Sequence, residues 1–210
     1  MNSDKLQRYI KIAQSTTYSE PEEGNFHTQL IPQMVEKYFP KDLDIASIIL
    51  DIGCGQGTFM DVIAEKGYAN RIGVTLSPED AKACNEKRHT TVCADMSDLD
   101  IPADLIGMIW CRHALEHSPF PYFTLLEFNR VLKQGGRMYV EVPAPECPRE
   151  HEFNPNHYSV LTPKMWFSLF KKSGFKVDSC EELGLELMDG DKKIPESNIC
   201  FMLTKDGTPV

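Results

Sequence analysis

The stretch Ile49-Leu50-Asp51-Ile52-Gly53-Cys54-Gly55-Gln56-Gly57 decides the fold. The apolar run from Ser47 to Ile52, bounded by turn residues, reads as a strand buried on both faces. It enters a turn with glycines at 53, 55 and 57, and a helix over about 58–66 follows, stopped by Gly67. In an open parallel sheet the ligand crevice lies outside the carboxyl ends of the strands, so this turn faces it. Glycines permit positive φ there and leave no Cβ between backbone and ligand. The plainer alternative is a strand-to-helix turn that binds nothing. A dinucleotide fingerprint, G-x-G-x-x-G, fails at its third glycine, where Thr58 stands. Asp51 would sit badly beside a pyrophosphate but suits a cationic group.

The alternation continues downstream. Residues 71–76, 90–94, 105–111 and 137–142 read as strands, with helices opening at Ser77-Pro78 and spanning about 121–132 between them. Strands alternating with helices imply a mostly parallel sheet covered on both faces. After a helix capped by Thr162-Pro163, residues 175–180 and 198–204 read as strands with no helix between, and are most simply antiparallel. The expected fold is α/β: a doubly wound, Rossmann-like, mostly parallel seven-stranded sheet with an antiparallel C-terminal edge pair. Two helices, at 3–14 and about 26–39, precede the core. A single domain over 1–210 is expected, with a helical cap at 1–44, a binding core at 45–145, and a loop, helix and closing strand pair at 146–210.

Composition narrows the function. The net charge of −9 disfavours binding to phosphate backbones, which Lys and Arg drive. Seven scattered cysteines without a C-x-x-C pair argue against a disulfide framework and for a reducing compartment. The start shows no signal-peptide core and no run has membrane-span length, so a cytoplasmic protein is expected. Oligomeric state is left open.

With its glycine turn and the segments after strands three to five in order, the chain over roughly 47–182 resembles the class I S-adenosylmethionine-dependent methyltransferases. The resemblance implies that Asp51 helps hold the cofactor's ammonium and that Gly53, Cys54, Gly55 and Gly57 shape the turn beside it. Thr75 and Leu76 fall where the ribose is held; an acid is usual at position 75, and similar G-V-T-L-S segments occur in cyclopropane-fatty-acid-synthase-like enzymes. Asp95 and Met96 match the adenine contact, although an Asp there also reads as a turn cap. Cys111 ends strand four beside the cofactor.

Trp110-Cys111-Arg112-His113-Ala114-Leu115-Glu116-His117 and Arg130-Val131-Leu132-Lys133-Gln134-Gly135-Gly136 resemble the family branch with L-E-H and R-V-L-K-P-G-G segments. The second is architectural, ending a helix with glycine and starting a strand. On a helical turn His113, Glu116 and His117 share one face. They read as packing residues below the cofactor, as a general base at His117 or His113, or as ligands of a divalent metal, which some ubiquinone-biosynthesis O-methyltransferases with a similar segment (Glu in place of His113) use and which is not expected here. The polar, proline-rich connection 143–158 overhangs the crevice and offers His151, His157 and Tyr158 to an acceptor, or is a solvated link. Tyr18, Phe26 and His27 are expected to cover the opposite side. The function implied is transfer of a methyl group to a small polar acceptor, most simply oxygen of a sugar or other metabolite. Rivals are an inactive cofactor-binding subunit and a nucleic-acid methyltransferase, whose N-P-P-Y motif is absent.

Overall fold

The computed structural model describes residues 7, 8, 11, 26–189 and 192–209. The leading helix expected at 3–14 and Tyr18 therefore lie largely outside the described residues, of which 7, 8 and 11 are helical. From there the order is α1 (Phe26–Tyr38), β1 (Ile49–Ile52), α2 (Thr58–Glu65), β2 (Arg71–Thr75), α3 (Pro78–Glu86), β3 (Thr90–Cys93) and β4 (Ile106–Arg112). After a 3-10 turn at Leu115–His117 come α4 (Pro121–Val131), β5 (Leu132–Pro143), α5 (Pro163–Lys172), β6 (Phe175–Asp189) and β7 (Lys192–Lys205). All seven strands form one sheet in the order β3-β2-β1-β4-β5-β7-β6. The first five pair in parallel, while β7 runs antiparallel to both β5 and β6. The doubly wound sheet with its antiparallel edge pair is as the sequence predicts.

Two apolar layers follow from the period-2 alternation of buried strands. Leu50, Ile52, Ile109, Cys111, Met138, Val140 and Phe201 point to one face, against Leu125 and Phe128 of α4 and Trp166 and Phe170 of α5. Ile49, Met108, Trp110, Tyr139 and Cys200 point to the other, against α1 and α2. On that second face the Trp110 ring stacks between Phe59, at 4.6 Å, and Tyr139, at 4.1 Å. By alternation Asp51, Arg112, Glu141, Asn198 and Glu196 also fall on this face, at the carboxyl ends of the parallel strands. Local signals hold as read: Ser77 Oγ caps α3 by accepting from Asp80 N at 3.1 Å, and Thr162 caps α5, each contributing about 1 kcal/mol.

Two expectations need correction. Gly135-Gly136 do not separate α4 from β5: the helix ends at Val131, and β5 starts at Leu132 and runs through both glycines. The closing strands are far longer than 175–180 and 198–204, spanning 15 and 14 residues. Their distal halves pair only with each other, because β5 pairs with β7 only up to Pro143↔Asn198. The charged Glu181, Glu182, Glu186, Lys193 and Glu196 hide this ribbon from apolar periodicity. No helix among the described residues is long and apolar enough to cross a membrane.

Candidate functional site

The order of the sheet reverses at β1, which pairs with β2 on one side and β4 on the other. That switch point is where an open α/β sheet leaves a crevice. A cavity of about 300 Å³ opens there. Its wall joins Asp51, Gly53, Cys54 and Gly55 of the first turn to Arg112, His113, Glu116 and His117 after β4. Arg149, His151, Asn154 and His157 enter from the β5–α5 connection, and His27 from α1.

The first turn needs its glycines. Gly53, Gly55 and Gly57 have φ of 70°, 48° and 87°, and a Cβ on Gly53 would lie 2.7 Å from Ala114 Cβ. Gly53→Ala is expected to cost about 2–4 kcal/mol from strain and overlap, read as a fall in Tm of roughly 5–15 °C in a thermal melt. Asp51 is only 4% exposed, and its Oδ2 has no hydrogen-bond partner among the described residues. Burial pushes its carboxyl well above the usual carboxylate range. Cys54 and Cys84 both direct Sγ at the Gly55 carbonyl, at 3.6 and 3.2 Å. Cys84 and burial push the Cys54 thiol up, so it keeps its proton.

Beyond the turn lies a charged network around Glu141, a fully buried carboxylate in β5. Its Oε2 accepts from Arg112 Nε and Tyr139 Oη, both at 2.8 Å, and its Oε1 from Asn198 Nδ2 at 2.9 Å. Burial alone would raise its pKa, but His113, Arg112 and Tyr139 hold it well below the carboxylate range. His113, at φ 49°, places Nε2 3.2 Å from Glu141 Oε1 and Nδ1 3.5 Å from Glu116 Oε1. Burial opposes a charge on this ring, yet its two carboxylate partners outweigh burial and raise its pKa to about 9. His113 is thus an imidazolium at neutral pH. Its raised folded pKa stabilises the fold fully below the unfolded value near 6.5, and this is lost as pH rises through about 9. The denaturation midpoint is expected to fall between those limits, with a flatter profile for His113→Gln in urea titrations at several pH values. His27, whose ring meets His113 edge-on at 5.1 Å, is driven to a pKa of about 4 by burial and by that neighbouring charge.

His117 differs. Its Nδ1 lies 2.8 Å from the Asn156 carbonyl, which can only accept. The neutral ring is therefore protonated on Nδ1 and carries its lone pair on Nε2. His157 directs Nδ1 at the His151 carbonyl, 3.1 Å away, with Asn154 Nδ2 3.2 Å from Nε2, and burial lowers its pKa. Glu116, His117 and His157 offer ligand atoms within 4.8 Å of one another.

The structure gathers Asp51, Gly53, Cys54, Gly55, His113, His117, His151 and His157 into one cavity wall. The other expected residues lie outside it. Gly57 precedes the first turn of α2. Thr75 is buried and its Oγ1 accepts from Ser77 N at 3.1 Å, while Leu76 is 37% exposed. Asp95 Oδ1 accepts from Ser97 N at 2.8 Å, and Met96 packs against the core. Cys111 turns its side chain into the α4 layer. Tyr158 is half exposed, its backbone N donating to the Glu116 carbonyl at 2.8 Å. Sequence reasoning missed Glu141, Asn198 and Glu196. The signal was there for Glu141 and Asn198: a carboxylate between Val140 and Val142, and an amide opening the apolar run from Ile199, each inside a buried strand.

A doubly wound sheet with a glycine turn at its switch point defines a class of proteins that bind a nucleotide-like cofactor there. A family model described as a methyltransferase domain matches residues 50–140. Over these residues the core of the chain is similar to the methyltransferase domains of the class I S-adenosylmethionine-dependent family. The 27-O-demethylrifamycin SV methyltransferase of Amycolatopsis mediterranei is 22% identical over 152 residues, covering 64% of this chain and 56% of that one. The malonyl-[acyl-carrier protein] O-methyltransferase of Herminiimonas arsenicoxydans is 31% identical over 94 residues, 44% of this chain and 36% of its own. The chain thus spans about half, or less, of the length of these curated relatives. A solved S-adenosylmethionine-dependent methyltransferase from Archaeoglobus fulgidus shares the fold, with a TM-score of 0.69 at 17% identity over 94% of this chain and 99% of that one.

Proposed function

We propose that this protein moves a methyl group from S-adenosylmethionine to an oxygen of a small polar acceptor, a sugar or another hydroxylated metabolite. The observation that carries this reading is the shared cavity. A buried carboxylate with an orphaned oxygen, Asp51, faces the same 300 Å³ space as His117, whose Nε2 carries a lone pair. The residues suit the cofactor's methionine end: Asp51 would hold the ammonium, and Gly53 and Gly55 leave room for the chain beside it. Strand order favours an extended ligand, since Asp95, Thr75, Asp51 and His113 stand at or just past the carboxyl ends of β3, β2, β1 and β4 in that sequence. Thr75 and Asp95 serve their own turns in this arrangement, so the ribose and adenine would rely on backbone groups near Leu76 and Met96.

When bound, the cofactor supplies a methyl on a sulfonium that leaves in one in-line displacement, so alignment and exclusion of water carry much of the rate. His117 Nε2 takes the proton that an acceptor hydroxyl must lose, and the Asn156 carbonyl keeps the ring in the tautomer that can do so. His113 keeps its own proton and is the wrong state for a base. We assign it to positioning, as the charged link between Glu116 and Glu141. His151 and His157 flank the acceptor, and Tyr158, next to His157 in the chain, would meet only an acceptor that extends beyond the cavity wall. The relatives bear on the reaction type as methyltransferases of 27-O-demethylrifamycin SV and of malonyl-[acyl-carrier protein], two acceptors too different to choose between for this chain. A second reading, a cofactor-binding subunit without turnover, is favoured by the hydroxyl of Thr75 where an acid usually clamps the ribose. The test is an acceptor screen led by sugars and nucleotide-sugars, with methylated product read by mass spectrometry. Product that depends on His117 supports the enzyme; cofactor binding without product from any hydroxylated acceptor supports the subunit.

A further inference from the structure

We propose that Cys147, His151 and Glu196 form a binding site for a borderline-soft divalent metal ion, zinc by preference, in the wall of the acceptor cavity. Cys147 and His151 stand four residues apart on the β5–α5 connection, and the long β6–β7 ribbon delivers Glu196 from the other side. One ligand atom of each lies within 4.8 Å of those of the other two. Thiolate, imidazole and carboxylate together are a zinc donor set, whereas magnesium and calcium take oxygen.

Burial supplies a second reason. Glu196 is 2% exposed and Cys147 7%. A carboxylate this deep needs positive charge and full hydrogen bonding. Glu196 Oε1 has His151 Nε2 at 2.6 Å, but Oε2 accepts no hydrogen bond among the described residues and has only the Arg149 guanidinium, Nε at 3.3 Å. The Arg149 side chain is 40% exposed, so it can swing outward when an ion takes its place. Tetrahedral bonds of about 2.0–2.3 Å put donors roughly 3.3–3.8 Å apart. The His151–Glu196 pair must open, and Cys147 close in, by about an ångström, which side-chain rotation provides. The ion replaces the proton between His151 and Glu196 and the thiol proton of Cys147, both released to solvent.

Three protein donors leave a fourth position, as in zinc sites that bind a substrate. Because His151 also lines the cavity, that position is within reach of an acceptor oxygen or thiol. Metal binding stands independently of the methyl-transfer reading; only its use on an acceptor rests on it. The cluster of Glu116, His117 and His157 contains no sulfur, so a spectroscopic probe separates the two.

The test is titration of the chelator-treated, reduced full-length protein with Co²⁺, followed by displacement with Zn²⁺. One equivalent should produce tetrahedral visible bands and a near-ultraviolet thiolate-to-cobalt charge-transfer band. Cys147→Ala should abolish the charge-transfer band, and Glu196→Gln, which keeps side-chain shape but removes an anionic ligand, should weaken Co²⁺ by more than about a hundredfold, beyond what outer-shell changes cause. His157→Ala and Cys54→Ala should leave the spectrum unchanged. The thermal melt and far-ultraviolet circular dichroism of each variant report its fold. A spectrum without the thiolate band, a band surviving in Cys147→Ala, or Glu196→Gln binding as the parent does would overturn the proposal.

Discussion

Asp51→Asn is expected to melt at a higher temperature than the parent protein and to bind S-adenosylhomocysteine about a hundredfold more weakly, ~2.7 kcal/mol. Both effects come from one carboxylate. Burial raises the folded pKa of Asp51 above its unfolded value. Its stabilising contribution is therefore full only below the unfolded value near pH 3.9, and it is lost as pH climbs through the raised folded value. At neutral pH the group carries a desolvation penalty that nothing in the fold repays, because Oδ2 has no partner among the described residues. The neutral, isosteric amide removes the penalty, and each kcal/mol recovered raises Tm by roughly 2–4 °C in a chain of this size. A cationic ammonium at that oxygen recovers it in another way, which is why affinity falls when the charge goes. A variant that melts lower, or that binds as tightly as the parent, would show that Asp51 is an ordinary structural residue. The stability–function conflict is typical of a group placed for a ligand.

His117→Gln is expected to lower kcat for a hydroxyl acceptor by about 10²–10⁴-fold, the usual worth of a general base. Affinity for S-adenosylhomocysteine should change by less than about twofold, since the interactions assigned to the cofactor remain. The loss should shrink for an acceptor that is already ionised, such as a thiolate, because no proton then needs to leave. Steady-state kinetics on both acceptor types separate this from a packing defect, which would lower both rates alike. Equal losses on the two would return His117 to the packing role that its 3-10 turn allows. His113→Gln should behave differently, lowering stability most below about pH 6.5, where the charged ring contributes fully, and least above about pH 9.

The glycine turn was legible because three independent signals coincide there: an apolar run of strand length, glycines at alternate positions and a helix start. The α/β alternation was legible for the same reason, and caps at Ser77 and Thr162 marked their helices by side-chain chemistry alone. The β6–β7 ribbon was not, because the charged residues Glu181, Glu182, Glu186, Lys193 and Glu196 interrupt any apolar period along it. Its consequence for the site was hidden with it, since Glu196 meets His151 only because β7 begins well before Asn198. Gly135-Gly136 looked like a helix stop because glycine usually is one, yet β5 continues the chain without a break. For Cys111 the difficulty was facing: neighbours Trp110 and Arg112 line the cavity, and the period of 2 sends Cys111 to the opposite layer. That His113 keeps its proton lay beyond sequence, because it depends on Glu141, 28 residues away in the chain and adjacent across the sheet.

Calorimetric titration of the purified protein with S-adenosylhomocysteine, with NADH as the control, tests the central claim most directly. One molecule bound per chain in the micromolar range, with no heat from NADH, is the result predicted for the cavity at the end of β1. No binding of S-adenosylhomocysteine, or tight binding of NADH instead, would contradict it.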